Sequence, residues 1–252
     1  MGFKEARIKA FMPVVFYGKD DPAGRNITSR LRGVRVIELP VHPIRADLSG
    51  YDSDLFVFAS THRSESAKPC LTVHPPGNWG KAEMGGNERE VQPTSAFAMK
   101  AAFSFLKAHP VDGFDVFMEA THHGPGNLKP PCLFVEIGSS EKEWSNEEAG
   151  VAVAGAIEAV LKEWKKPNGR VALGFGGTHY CPSFSKMEAD GFAFSHVCPK
   201  YALDKLDAEM LGQAVAKTAE RVECGVLDDC RGEQKRKVRG LLEAAGIPLE
   251  SA

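Results

Sequence analysis

The chain has 252 residues, of which 43% are hydrophobic and 25% charged, and its formal net charge is −2. This length can bury a sizeable core, while the near-zero charge excludes a whole-protein field that would attract DNA or another polyanion. No stretch approaches the roughly 20 apolar residues of a membrane span, so we expect a cytoplasmic protein with no membrane partner and leave its oligomeric state open.

The predicted elements alternate between apolar strands and helices. A strand is predicted over 9–17, and Asp21 before Pro22 is typical of a capped helix start, with the helix continuing to about Leu31. The later predictions are strands over 34–39, 54–59 and 70–73, a helix over 94–107 capped by Thr94 or Ser95, strands over 114–120 and 132–137, a helix over 146–164 capped by Ser145, strands over 170–175 and 192–198, and helices over 207–221 and 232–245. The glycine-rich segment 81–93 is either an ordered functional loop or a mobile lid.

This alternation runs along the whole chain without internal repeats or an obvious linker. Strands that are apolar on both sides are expected in a parallel sheet that helices cover. The sequence therefore predicts a fold of the α/β class, with a single domain over 1–252 and a mainly parallel mixed sheet flanked by helices.

The six cysteines show no CxxC pair and no zinc-finger spacing, and several lie in predicted strands. We therefore expect reduced, mostly buried thiols. Cys224 and Cys230 could instead form a disulfide or bind a metal, but free thiols are favoured.

The stretch 114–138 brings ionisable side chains together between two apolar strands. Glu119 and Glu136 each lie inside an apolar run, and His122 and His123 follow the first of these runs. An unpaired buried carboxylate is costly, so each is expected to be hydrogen-bonded, paired or bound to a metal. The stretch thus supplies two imidazoles and two carboxylates to one small region.

The same pattern occurs four times, since apolar runs end in Ser or Thr followed by His at His62, His122, His179 and His196. Each histidine taken singly reads more readily as an ordinary loop or core residue. Ligands of parallel sheets bind beyond the carboxyl ends of the strands, so polar residues placed there converge. We therefore predict one crevice that several of these histidines share.

Five segments together carry a resemblance to a known family. They are 21–27 (DPAGRNI), 60–64 (STHRS), 71–80 (LTVHPPGNWG), 119–125 (EATHHGP) and 176–180 (GGTHY). In this combination the chain resembles the D-aminoacyl-tRNA deacylases of archaea and plants, the second type of that activity. The resemblance covers nearly the whole chain.

The resemblance implies hydrolysis of the ester that joins a D-amino acid to tRNA, a dependence on zinc, and a core similar to those of peptidyl-tRNA hydrolase and the nucleoside phosphorylases. D-aminoacyl-tRNA would then be the partner. Two alternatives stay open at this point. One is a small-molecule zinc amidohydrolase or nucleoside phosphorylase-like enzyme, and the other is a non-catalytic tRNA-binding protein.

Ester hydrolysis needs an activated water and a stabilised oxyanion. The residues that we predict to be catalytic are His122, His123, His179, Glu136 and His62. Imidazole nitrogens and carboxylate oxygens suit Zn²⁺, so the candidate metal ligands are His122, His123, His179, Glu119 and Glu136. Without a metal, a histidine oriented by a carboxylate could act as the general base.

Substrate-binding residues are predicted in the loops of the same segments. They are Arg63, His74, Asn78, Gly176, Gly177, Thr178 and Arg25, and the two glycines are the predicted amide donors to an oxyanion. The densest basic segment, 231–239, adds Lys235, Arg236 and Arg239. On a helix these three cations could follow a phosphate backbone, or they could form a solvated face.

Overall fold

The computed structural model describes residues 12–65 and 67–252, and its elements alternate as the sequence predicts. In chain order they are β1 (Val14–Gly18), α1 (Pro22–Thr28), β2 (Arg35–Leu39), β3 (Phe56–Thr61), β4 (Cys70–His74), β5 (Gly77–Asn78), β6 (Glu90–Val91), α2 (Ala96–Ala108), β7 (Asp115–Met118), β8 (Cys132–Gly138), α3 (Glu141–Trp144), α4 (Glu147–Glu163), β9 (Arg170–Phe175), α5 (Pro182–Ala189), β10 (Phe192–Cys198), α6 (Ala208–Ala216), β11 (Cys224–Leu227), α7 (Gly232–Ala244) and β12 (Leu249–Ser251).

The strands form two main sheets. The larger sheet has six strands in the order β2-β1-β3-β8-β4-β7, and the smaller has four in the order β10-β9-β11-β12. Every neighbouring pair in both sheets is parallel except β4 with β8. The predicted fold class, α/β with a mainly parallel mixed sheet flanked by helices, is confirmed.

Side chains of β8 alternate between two faces of the larger sheet, as the period of a strand requires. Leu133, Val135 and Ile137 join the core that includes α2 and α4. Cys132 and Phe134 belong to a separate cluster on the other face. The side chain of Glu136 shares the face of Phe134, so the helices do not cover it.

The residues that follow β7 connect the two sheets. The amide of Ala120 donates to the carbonyl of His179 at 2.8 Å, and the amide of Thr121 donates to the carbonyl of Val197 at 3.0 Å. The segment that carries the predicted catalytic histidines is therefore fixed between the end of β9 and the end of β10.

The glycine-rich segment that follows β5 is an ordered loop. Asn78 Nδ2 donates to the carbonyl of Gly85 at 2.9 Å, and the amide of Gly124 donates to the carbonyl of Met84 at 3.1 Å. A Cβ at Gly124 would lie 2.4 Å from the amide nitrogen of Gly86, so the two loop backbones pack in direct contact. The segment is thus held at Met84 and Gly85 by hydrogen bonds to neighbouring residues.

Several predicted boundaries differ from the structure. β1 begins at Val14, whereas the strand was predicted from residue 9. Residues 9–11 of that prediction lie outside the described residues. The helix predicted over 207–221 ends at Ala216, because the following residues pair with Thr94 through two backbone hydrogen bonds. Asn146 caps α4 in place of Ser145, which instead terminates α3. The sequence interpretation missed two helices, α3 and α5, and four strands, β5, β6, β11 and β12.

The six cysteines are all buried and form no disulfide, which confirms the prediction of free thiols. Within the described residues no helix has both the length and the apolar character that a membrane crossing requires.

Candidate active site

Two carboxylates lie buried on the larger sheet, with Glu119 directly after β7 and Glu136 in the middle of β8 opposite Thr72 of β4. Glu119 is 0% exposed and Glu136 is 3% exposed. Burial of a charge requires a partner, so the surroundings of these two groups define the site. The antiparallel β4 brings His74 opposite Phe134, so the site includes part of the face of the sheet as well as the residues that follow β3, β7 and β9.

Three histidines approach the Glu119 carboxylate from different parts of the chain. Nε2 of His179 lies 2.7 Å from Oε2, and Nε2 of His122 lies 3.7 Å from the same oxygen. Nδ1 of His62 lies 3.3 Å from Oε1. Because Nε2–H of His179 donates to the carboxylate, its Nδ1 can accept a hydrogen bond from the Tyr201 hydroxyl, which lies 3.3 Å away.

Glu136 lies beside two histidines. Its Oε2 is 3.7 Å from Nδ1 of His62 and 3.6 Å from Nε2 of His74. The His74 ring is 0% exposed and stacks on Phe134 with the ring centroids 5.0 Å apart. His62 therefore lies between the two carboxylates and joins them into one cluster.

The charges of the cluster determine its protonation states. Burial opposes the charged form of His62, but Glu119 and Glu136 outweigh burial and raise the pKa of His62 to about 12. Burial opposes ionisation of Glu119, but His179 and His62 hold the pKa of this carboxyl well below its usual value. Burial of Glu136 is likewise outweighed by His62 and His74, which hold its pKa at about 2. We infer that both carboxyls are ionised and that His62 is an imidazolium.

The pKa values of His122 and His123 are lowered, in contrast to that of His62. Burial, and then repulsion by His74, lowers the pKa of His122 well below its usual value and that of His123 to about 4. Nδ1 of His122 donates to the carbonyl of Ala120 at 2.8 Å, and Nδ1 of His123 donates to the carbonyl of Gly124 at 2.7 Å. Both rings are thus neutral near pH 7, and each keeps its Nε2 lone pair free for a proton or a metal.

The donor atoms of the cluster fit a metal ion in three overlapping groups, within each of which the atoms lie within 4.8 Å of one another. The groups are His74 with His122 and His123, Glu119 with His122 and His179, and His62 with Glu119 and Glu136. Glu119 Oε1 and His74 Nε2 are buried, and among the described residues their nearest charged neighbours are His62 at 3.3 Å and Glu136 at 3.6 Å, neither of which completes a hydrogen bond to them. Imidazole nitrogens and carboxylate oxygens are the donor types that Zn²⁺ accepts.

The five predicted metal ligands therefore lie in one cluster, although they are not members of one group. The structure adds His74 and His62 as possible ligands. His74 was predicted to bind substrate, but its complete burial makes it part of the interior of the cluster.

Two cavities open beside the cluster. The first, here called the Tyr201 cavity, has a volume of about 390 Å³ and is lined by Gly77, Asn78, Trp79, Gly80, Lys81, Glu83, Met84, Thr121, His122, His123, Tyr201, Ala202 and Lys205. The second, here called the Asp21 cavity, has a volume of about 340 Å³ and is lined by Asp20, Asp21, Pro22, His42, Ile44, Thr61, His62, Arg63, Met84, His123, Glu136 and Trp144. Met84 and His123 line both cavities.

Some predicted substrate-binding residues border these cavities. Arg63 lines the Asp21 cavity with its guanidinium 5.0 Å from the centroid of the Trp144 ring. Asn78 lines the Tyr201 cavity, but its amide hydrogens hold the loop described above. Thr178 is exposed beside His179.

Gly176 and Gly177 do not offer free amides. The amide of Gly176 donates to the carbonyl of Cys198 at 2.9 Å, and that of Gly177 donates to the carbonyl of Asp229 at 2.9 Å. Both donors that the sequence suggested for an oxyanion therefore already have backbone acceptors. The positive φ angles that permit these turns explain the two glycines.

The predicted basic residues lie away from the cluster. Arg25 is exposed on α1 and donates to the carbonyl of Lys19 at 2.6 Å. Lys235, Arg236 and Arg239 are exposed on α7 and line neither cavity.

Sequence reasoning missed two tyrosines and one aspartate in this region. The Tyr180 hydroxyl lies 2.9 Å from Nε2 of His62, and Tyr201 contacts His179. Asp21 is 2% exposed and accepts hydrogen bonds from the Ser60 hydroxyl and the Thr61 amide. Tyr180 and Asp21 stand inside the quoted motifs, so only their roles were missed, whereas no local pattern marks Tyr201.

The fourth Ser-His pair does not join the cluster. His196 is 0% exposed, and its Nδ1 lies 3.2 Å from the hydroxyl of Thr121. Burial lowers the pKa of His196 to about 3. This histidine fixes the segment that follows β7, and it belongs to none of the three donor groups.

Comparison with known proteins gives consistent matches over most of the chain. A family model described as D-aminoacyl-tRNA deacylase matches residues 49–250. The D-aminoacyl-tRNA deacylase of Pyrococcus furiosus is 43% identical over 198 residues, which cover 77% of this chain and 72% of the relative. That of Pyrococcus abyssi is 35% identical over 250 residues, which cover 98% of this chain and 89% of the relative. The crystal structure of AF0625, a conserved protein of unknown function, matches with a TM-score of 0.84 at 31% identity and covers 96% of this chain and 95% of its own.

Proposed function

Because this chain belongs to the D-aminoacyl-tRNA deacylase family, we propose that it hydrolyses the ester bond of D-aminoacyl-tRNA and releases the free D-amino acid and tRNA. It is a hydrolase that acts on the aminoacyl ester. The observation that carries the proposal is the family match over 49–250, which includes every histidine and carboxylate of the cluster. The names of the relatives do not favour the amidohydrolase, the phosphorylase or the non-catalytic alternative.

Two groups of the cluster have the properties of an acid and a base. When no metal is bound, neutral His122 has a free Nε2 lone pair, 3.7 Å from Glu119, and can accept a proton from an attacking water. Charged His62 donates through Nε2 to the Tyr180 hydroxyl, whose own proton is then free for a developing oxyanion. In this assignment Tyr180 takes the role that the sequence suggested for Gly176 and Gly177.

The cluster is also suited to zinc, and we assign Glu119, His122 and His179 as the residues that would hold it. The choice is supported by distance, since Oε2 of Glu119 lies 2.7 Å from Nε2 of His179 and 3.7 Å from Nε2 of His122. When bound, Zn²⁺ would lower the pKa of a coordinated water to about 7. His62 and Glu136 would then hold Glu119 in place from the opposite side, with His62 Nδ1 3.3 Å from Oε1.

We place the tRNA against α7 and the turn that α7 contacts. The Arg231 guanidinium lies 2.7 Å from the Asp204 carboxylate, and Lys237 Nζ donates to the carbonyl of Leu203 at 3.2 Å. These contacts hold the turn 203–205, whose Lys205 lines the Tyr201 cavity. The helix that carries the exposed cations therefore adjoins the turn whose Lys205 lines the Tyr201 cavity, and we place the phosphate backbone along its exposed face.

The deciding experiment is incubation of the purified protein with tRNA charged with D-Tyr and, separately, with L-Tyr. Rapid release of D-Tyr with the L-ester spared is expected, because a pocket shaped for one substituent direction at Cα excludes the other sterically. Equal rates on the two esters would refute the chiral assignment. Hydrolysis of free nucleosides or peptides without any action on charged tRNA would revive the small-molecule alternative.

A further inference from the structure

The two cavities beside the cluster differ in charge and in aromatic lining. We propose that the 3′-terminal adenosine of the tRNA binds in the Tyr201 cavity with its base stacked on the Tyr201 ring, while the D-aminoacyl group lies in the Asp21 cavity. This inference rests on the proposed function and deepens it, because it assigns the two sides of the scissile ester to two named cavities.

Tyr201 has the features of a stacking platform. Tyr201 is 66% exposed, although proteins usually bury part of a side chain as large as that of tyrosine. Its hydroxyl lies 3.3 Å from Nδ1 of His179, which limits the motion of the ring. Unpaired bases bind proteins largely by stacking on such aromatic rings, and one stack changes affinity by roughly 5- to 100-fold.

Charge distinguishes the two cavities. The Tyr201 cavity has two exposed lysines, Lys81 and Lys205, against the single carboxylate of Glu83. This excess of positive charge suits the phosphate that precedes the terminal adenosine. A volume of about 390 Å³ also falls within the usual range of small-molecule sites.

The Asp21 cavity is the more acidic of the two. Its lining includes the carboxyl groups of Asp20, Asp21 and Glu136 together with the guanidinium of Arg63. Carboxylates repel a phosphate and attract the α-ammonium group of an amino acid. Asp20 is exposed, so it is accessible to that ammonium group, whereas Asp21 is committed to the Ser60 hydroxyl and nearby amides.

The two cavities share a wall beside the cluster. Met84 and His123 line both cavities, and His123 adjoins His122 and His74 with ring centroids 4.3 Å and 4.9 Å apart. A substrate that extends from one cavity to the other therefore passes the cluster at the position of its ester. The adenosine and the amino acid then lie on opposite sides of the reacting bond.

The test crosses two probes with three variants. Adenosine 5′-monophosphate probes the Tyr201 cavity by calorimetric titration, and hydrolysis of D-tyrosine methyl ester probes the Asp21 cavity. Tyr201→Ala is expected to weaken nucleotide binding roughly 5- to 100-fold, while Tyr201→Phe stays within about 2-fold of the wild type. Asp20→Asn is expected to raise KM for the methyl ester and leave nucleotide binding unchanged. Val151→Ala, on an exposed α4 site that lines neither cavity, is the control.

Kinetics on D-Tyr-tRNA separates the two roles of Tyr201. Tyr201→Ala is expected to raise KM, whereas Tyr201→Phe lowers kcat with KM preserved, since it keeps the ring and loses only the hydroxyl that orients His179. Nucleotide binding that is absent in the wild type, or that is weakened by Asp20→Asn and not by Tyr201→Ala, overturns the assignment of the cavities. Failure of the wild type to cleave D-Tyr-tRNA refutes the proposed function instead, and the binding data still decide which cavity accepts the nucleotide.

Discussion

Nε2 of His179 lies 2.7 Å from Oε2 of Glu119, so a residue beyond the end of β9 is bonded to a carboxylate that directly follows β7. The two strands belong to different sheets. The site is therefore built where the sheets meet, and neither sheet could form it alone. Glu119 also contacts His122 and His62, which makes this carboxylate the centre of the cluster.

Glu119→Gln should lower turnover of D-Tyr-tRNA by at least ~10²-fold, because an amide keeps the shape of the carboxyl group and loses the charge that His62, His122 and His179 surround. Single-turnover rates would measure the effect, and circular dichroism would establish that the fold is intact. Glu188→Gln is the matched control, since Glu188 is also 0% exposed but lies outside the cluster. Equal activity in both variants would remove Glu119 from the chemistry.

Metal content should distinguish the donor groups. If Glu119, His122 and His179 hold zinc, elemental analysis should find zinc in the wild type and in His123→Ala, but not in His179→Ala. The converse result, with zinc retained in His179→Ala and lost in His123→Ala, would assign the ion to His74, His122 and His123. Activity that survives exhaustive chelation undiminished would take the metal out of the mechanism altogether.

His122→Ala should leave the fold intact and lower kcat by at least ~10²-fold, because His122 offers the neutral Nε2 atom that lies beside Glu119. Stopped assays of D-Tyr release would measure kcat. His109→Ala is a suitable control, because His109 stacks on Phe105 at the end of α2, where it lines neither cavity. A normal kcat in His122→Ala would transfer the base to another member of the cluster.

Glu188, a buried carboxylate outside the cluster, should make the stability of the fold depend on pH. Burial raises the pKa of Glu188 to about 8, and the nearby Lys100 and the Phe194 amide only partly oppose this shift. The folded state therefore retains a proton that the unfolded state releases near its ordinary pKa. This contribution to stability is complete at low pH and is lost as pH rises from about 4.5 to about 8.

Glu188→Gln should remove that loss, because a glutamine stays neutral and can still accept the hydrogen bond from the Phe194 amide, which is 2.8 Å long with Glu188. Relative to the wild type, the variant should gain stability between pH 5 and pH 8, by roughly 2–4 °C in Tm for each ~1 kcal/mol. Thermal denaturation at both pH values would measure it. A difference in Tm that does not change with pH would show that Glu188 ionises normally.

The sequence indicated much of the site because its strongest signals are local. A carboxylate inside an apolar run, as at Glu119 and Glu136, is costly to bury without a partner, whichever strand of the sheet carries it. The Thr-His pairs after apolar runs were equally visible, and His62, His122 and His179 do converge. Such features depend on the period of a strand and not on which strands are neighbours.

The features of the site that the sequence did not predict depend on which strands and backbone groups pair in the folded chain. The direction of β4 against β8 decides that His74 stacks on Phe134, yet no residue in either strand specifies that direction. The amides of Gly176 and Gly177 have acceptors more than 20 residues distant in sequence, at Cys198 and Asp229. Local propensity cannot identify such partners.

Finally, the cations of α7 should contribute to the affinity for tRNA and not to the discrimination between D- and L-aminoacyl esters. Neutralising Lys235, Arg236 and Arg239 should weaken tRNA binding and flatten its salt dependence by roughly one unit of slope per lost phosphate contact, with the preference for D-Tyr unchanged. The matched control neutralises Lys162, Lys165 and Lys166 near the end of α4, which removes the same charge from a region where two lysines already pair with acids. Filter binding over a salt series measures both. Because the two variants have equal net charge, equal slopes would mean that α7 makes no phosphate contacts and would direct the search to Arg25, Arg30 and Arg32.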